Sequence, residues 1–155
     1  MSTIHHQLSI HVPVATVYDA IASPDRIGMW WDKQTATRTD RGIVMEHNPG
    51  AEHGVVKLRV VQLIPNKHVQ WECISRHPKT SPASAWTGTH FIFELTGSDD
   101  GQTTTVNFQQ VGYDGRSEYF ESNKAAWGEV MKRLKQVLES PQAALFDSKY
   151  SLRSS

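Results

Sequence analysis

The chain has 155 residues, enough for one domain whose core can fold without metals or cross-links. Lysine plus arginine and aspartate plus glutamate number 16 each, so the formal net charge is +0; nothing favours nucleic acid or an anionic membrane surface, and a small neutral partner fits better. The single cysteine, Cys73, cannot close an internal disulfide, the polar start MSTIHHQ lacks the regions of a signal peptide, and no apolar run approaches a membrane span, so the cytoplasm is the expected compartment.

TIHHQLSIHV alternates like a strand, and Pro13 opens PVATVYDAIAS, where Val14, Val17, Tyr18 and Ile21 recur at helical spacing. Ser23 and Pro24 read as the cap and first position of a second short helix, SPDRIGMWW, which Gly28 weakens. It runs into two adjacent tryptophans, Trp30 and Trp31. Neighbours on a helix point in different directions, so one core does not easily take both. RGIVMEHNPGAEHGVVKLRVVQLIP predicts a hairpin turning at Asn48-Pro49-Gly50, and Pro65-Asn66-Lys67 turns the chain into the strand HVQWECISRH. PKTSPAS is a breaker-rich loop, and WTGTHFIFELTG and TTTVNFQQVGY are two further strands separated by the turn SDDGQ.

From Arg116 the period changes. Tyr119, Phe120, Asn123, Ala126, Trp127, Val130, Met131, Leu134, Val137 and Leu138 fall on one stripe of a long amphipathic helix, with Pro141 compatible with its end. Residues 1–140 are expected to form one domain and residues 141–155 a tail of at most a helical turn. The strands offer inward sets at period two: Val56, Leu58 and Val60; Val69, Trp71 and Cys73; Phe91, Phe93 and Leu95; Val106, Phe108 and Gln110. An antiparallel sheet of about seven strands, at roughly 4.8 Å per strand, is far wider than a helix of about 10 Å, so it must curl round the helix. The remaining space takes large side chains, the short helices or a ligand.

VPVATVYDAIASPDRIGMWW, LIPNKHVQWE, WTGTHFIFEL, TTTVNFQQVGY and a last helix with AAW before LKQVLE resemble the START-like (SRPBCC) superfamily, in the bacterial family named after activators of the ninety-kilodalton heat-shock protein ATPase. The resemblance spans roughly residues 4 to 140. It implies an α+β helix-grip fold of the birch-pollen-allergen type: a strand, two short helices, six more strands and a long C-terminal helix gripped by the curved sheet. It also implies that one of Trp30 and Trp31 packs into the core while the other lines or shields the cavity mouth. The superfamily includes lipid carriers, plant hormone-binding proteins, aromatic polyketide cyclases and co-chaperone domains, so the fold does not choose the chemistry. In many relatives a histidine stands where this chain has Gln110, which removes one candidate acid-base group.

Trp71, Trp86, Phe91, Phe93 and Phe108, with Tyr119, Phe120, Trp127 and Met131 on the helix, are candidates either to line a pocket for an aromatic or long-chain ligand or to fill a core. Trp127 is expected to border the void. Gln110 and Asn123 are polar groups at inward positions, able to orient a ligand or to serve as satisfied structural hydrogen bonds. His47 and His53 flank the NPGAE turn without matching a zinc spacing, and Cys73 reads as a small buried hydrophobe. No nucleophile elbow, phosphate loop or fixed carboxylate pair is present, so no catalytic residue, metal or cofactor is assigned. The expected function is binding of a small hydrophobic or aromatic molecule in a cavity between sheet and helix, with no nucleic-acid or membrane partner. A cyclase-like or hydrolase-like enzyme and a co-chaperone-like interaction module are the alternatives, and a homodimer stays open.

Overall fold

β1 (Ser2–Ile10) and β2 (Thr35–Thr39) follow one another among the strands of the chain yet lie at opposite edges of one sheet. The computed structural model describes residues 2–113 and 117–140. Between these two strands run α1 (Val14–Ala22) and α2 (Pro24–Ile27), which carry the chain from edge to edge. In a flat sheet that crossing would be roughly 29 Å. Curvature shortens it, and α1 packs against the middle strands on the way. The remaining strands are β3 (Gly42–His47), β4 (Val56–Ile64), β5 (His68–Cys73), β6 (His90–Gly97) and β7 (Thr104–Tyr113), and α3 (Phe120–Glu139) closes the fold. The order is β1-β7-β6-β5-β4-β3-β2, antiparallel throughout. This is the α+β helix-grip architecture, a curved seven-stranded sheet around a C-terminal helix.

The inward sets hold their alternation because the cross-strand register keeps it. Trp71 pairs with Phe91, Phe93 with Phe108, and Leu95 with Val106, all buried. Val60 is only half-buried and stands where a bulge shifts the register of β4, while Leu63 and Ile64 beyond it are exposed at 41% and 39%. Asn66 takes φ 64 in the tight turn from β4 to β5, the left-handed conformation that asparagine tolerates better than most side chains.

Two elements differ from the sequence expectation. Thr35–Thr39 is a strand that periodicity does not show, because all five residues are exposed and threonine alone carries the β preference. PKTSPAS runs into a short helical turn, Pro82–Ala85, whose cap Ser81 accepts a hydrogen bond from Ala83 N–H at 3.1 Å. In α3 the buried residues are Asn123, Trp127, Met131, Leu134 and Leu138, steps of four, four, three and four. Ala126, placed on that stripe from sequence, is exposed. Arg116 and the expected tail from residue 141 lie outside the described residues.

α3 is held along β1 by polar contacts at several levels. His6 Nε2–H donates to the Lys124 carbonyl at 2.7 Å, Lys135 Nζ donates to the Ser9 carbonyl, and His11 N–H donates to Glu139 Oε2 at 2.8 Å. No described helix is long and apolar enough to cross a membrane.

Candidate functional site

Between the concave face of the sheet and α3 the aromatic side chains meet as one group. Phe108 on β7 stacks on Trp127 of α3 with centroids 4.7 Å apart, and Phe91 on β6 lies 5.3 Å from the same indole. Trp71 on β5 meets Phe93 edge-on at 5.0 Å. All five of these rings are at most 2% exposed. Strand and helix backbones fix them, since each strand residue points inward by register and Trp127 sits at the centre of the buried stripe.

The two adjacent tryptophans divide the work. Trp30 is fully buried, donates its Nε1–H to the Ala20 carbonyl at 2.9 Å and meets Phe93 edge-on at 6.2 Å, so it belongs to the core beneath α1. Trp31, half-buried on the loop after α2, reaches into the ring group: its plane is nearly parallel to Trp71 (8°, 6.1 Å), and it lies 4.9 Å from Trp127. Trp86, just after the Pro82–Ala85 turn, is also half-buried and stands 5.3 Å from Phe91 and 6.1 Å from Trp127.

His47 closes the outer side of Trp31, edge-on to it at 4.8 Å. Gln34 Nε2 donates to the Asp32 carbonyl, which leaves Gln34 Oε1 to accept from His47 Nδ1–H at 3.0 Å. Burial pushes the His47 pKa below its ordinary value, partly opposed by Asp32, whose carboxylate is 3.5 Å from Nε2; His77 adds a further lowering. His53 does not join His47. Its Nδ1 meets the Ser81 hydroxyl at 2.7 Å and its Nε2 faces Glu52, so the two histidines that flank the turn have separate partners. Among the described residues no group of three potential ligands could hold a metal ion.

Residues 11–139 match the family model described as activator of Hsp90 ATPase homolog 1-like protein. The chain belongs to this family. Three solved structures show the same fold. The solution structure of the Aha1 dimer from Colwellia psychrerythraea is 24% identical, with a TM-score of 0.72, 90% of this chain and 97% of that one covered. MLL2253 from Mesorhizobium loti is 20% identical, with a TM-score of 0.67 and coverage of 87% and 95%. DynU16, of the dynemicin biosynthetic locus, is 21% identical, with a TM-score of 0.65, 90% of this chain and 48% of that one covered. No curated protein matches the sequence.

In this Aha1-like chain the remaining candidates fall in different places. Met131 is 2% exposed, one turn beyond Trp127. Phe120 is half-buried, edge-on to Tyr113 at 5.2 Å. Tyr119 turns away from the ring group and donates its hydroxyl to the Lys79 carbonyl at 2.7 Å, at the exposed edge of the loop before the Pro82–Ala85 turn. Asn123 is buried, but its Nδ2 is committed to the Pro82 carbonyl at 3.2 Å and to the Tyr113 hydroxyl. Gln110 is 0% exposed and gives Nε2–H to Thr89 Oγ1 at 2.9 Å.

Tyr113 and Thr89 are the buried polar residues beside these candidates that sequence reasoning missed. Alternation from Val106, Phe108 and Gln110 points residue 112 inward. Gly112 instead takes φ 87 and is exposed, which resets the phase and buries Tyr113 completely. The glycine within the strand was the available signal. Burial pushes the Tyr113 hydroxyl pKa up, opposed in part by its hydrogen bonds. Cys73, 1% exposed, likewise has its thiol pushed up by burial.

Proposed function

We propose that this protein binds a small, largely apolar aromatic or acyl molecule between the curved sheet and α3, and that Trp31 is the movable ring that admits it. The observation that carries this reading is the contrast in how the rings are held. Trp71, Phe91, Phe93, Phe108 and Trp127 come from strands and a long helix, whereas Trp31 comes from the loop after α2 and is only half-buried. Displacing it opens an apolar concavity lined by the rings of the strands and α3, the usual form of a small-molecule site. Tryptophan fluorescence and thermal melts with a panel of aromatic and acyl compounds test the reading. Binding is expected to raise Tm by mass action, and Trp31→Ala is expected to fold while changing affinity markedly. A panel without any Tm response, or a Trp31→Ala variant with unaltered affinity, overturns it.

A homodimer is proposed with it, by analogy to the dimer of the Colwellia relative. Sedimentation across a concentration series tests that part separately: a monomer at all concentrations rejects it.

A further inference from the structure

Inside the aromatic lining, one donor and one acceptor have no partner among the described residues. Thr89, 1% exposed, determines which atoms they are. Its hydroxyl lies 2.6 Å from the Trp86 carbonyl, which only accepts, so the Thr89 proton is used there. The Gln110 amide, 2.9 Å from the same hydroxyl oxygen, must then present its Nε2–H. This leaves Gln110 Oε1, on a residue that is 0% exposed, buried without a donor, and Trp86 Nε1–H buried without an acceptor. Both residues stand against one ring, since Phe91 is the cross-strand partner of Gln110 and meets Trp86 edge-on at 5.3 Å.

A buried polar atom left without a partner is unfavourable, and native interiors rarely keep one, still less two beside the same ring. A carboxylate or a ketone can answer only Trp86, because neither has a proton to give Gln110. An ammonium group can answer only Gln110. A hydroxyl does both through one oxygen. Resting on the binding reading above, we infer that the ligand is a neutral hydroxyl-bearing ring compound, whose hydroxyl accepts from Trp86 Nε1–H and donates to Gln110 Oε1 while its apolar body lies against Phe91 and Trp127.

Naphthol and naphthalene, titrated calorimetrically into the wild type, Trp86→Phe and Gln110→Met, test this. Transfer from water favours naphthalene, so apolar burial alone predicts that naphthalene binds tighter. The inference expects naphthol to bind the wild type about tenfold tighter than naphthalene, and each substitution to bring that ratio towards one. Naphthoate, which cannot donate, is expected to show no such preference. A ratio near one in the wild type, or a preference that survives both substitutions, overturns the inference and leaves the apolar site standing; water then answers the two orphan atoms. Failure of both compounds to bind overturns the inference, while the binding reading falls only if the wider panel of aromatic and acyl compounds also gives no response. Trp86→Phe keeps a ring in place and Gln110→Met keeps the chain length, and either variant decides the question if the other does not fold.

Discussion

At Trp127 four aromatic rings converge: Phe108 at 4.7 Å, Trp31 at 4.9 Å, Phe91 at 5.3 Å and Trp86 at 6.1 Å. A side chain with neighbours on so many sides, at 2% exposure, is a core residue by its surroundings. Trp127→Ala should therefore destabilise by about 3–5 kcal/mol in chemical denaturation, from lost burial plus the cavity left behind. A clearly smaller loss would mean that the ring borders open space. His47 makes a prediction of different kind. Its pKa is lowered in the folded state, so the unfolded chain binds more protons once the pH falls through the ordinary histidine value of 6.5. Its contribution is unchanged above that pH, and stability falls from there until the lower folded pKa is passed. Thermal melts at about pH 7.5 and about pH 5.5 should give the lower Tm in acid, with part of the difference lost in His47→Gln. An identical pH dependence in that variant would remove His47 as a source.

At the scale of elements, the seam between α3 and β1 depends on a missing side chain. A Cβ on Gly128 would stand 3.1 Å from His6 Cε1, and the His6 ring is held by its bond to the Lys124 carbonyl and by stacking on Phe108. Helix propensity alone makes Gly→Ala stabilising by about 1 kcal/mol. Here the imidazole must be pushed aside, so Gly128→Ala should give no gain in the wild type and should recover the gain of about 1 kcal/mol in a His6→Ala background. Denaturation of the four proteins of this cycle measures the coupling; simple additivity would show that the ring yields freely. β2 lies at the opposite edge of the sheet. With one side unpaired and every residue exposed, its amides should exchange with deuterium faster than those of the central strands β5 and β6.

For the whole molecule, the five tryptophans belong to one connected group of rings that joins the loop after α2, β5, the segment just after the Pro82–Ala85 turn, and α3. The buried apolar residues, Val44 and Ala83 apart, likewise form one cluster drawn from both the sheet and the helices. Such a core has no natural line of division. Tryptophan fluorescence and far-ultraviolet circular dichroism should follow one coincident denaturant transition, and Cys73 should react with a thiol reagent only as that transition opens the core. Separated transitions, or rapid labelling of Cys73 in the native protein, would mean that part of the fold opens alone.

Much of this fold was legible without coordinates, because it rests on local periodicity. Val69, Trp71 and Cys73 at period two, and Asn123, Trp127 and Met131 at helical steps, identify faces whatever they pack against. The mismatch in width between one helix and a wide sheet then requires curling. Edge strand β2 escaped, since a strand with no buried face has no alternation to read. Tertiary structure alone decided the site. Trp30 and Trp31 have the same local sequence, and what separates them is that the Ala20 carbonyl takes one indole N–H while Trp71 and Trp127 receive the other ring. Gln110 and Asn123 are alike in sequence terms as well. Asn123 Nδ2 finds Pro82 from 41 positions away, whereas Thr89, 21 positions from Gln110, satisfies one end of its amide and leaves the other bare. Whether a buried polar atom has a partner depends on which distant backbone the fold brings beside it, and no periodicity encodes that.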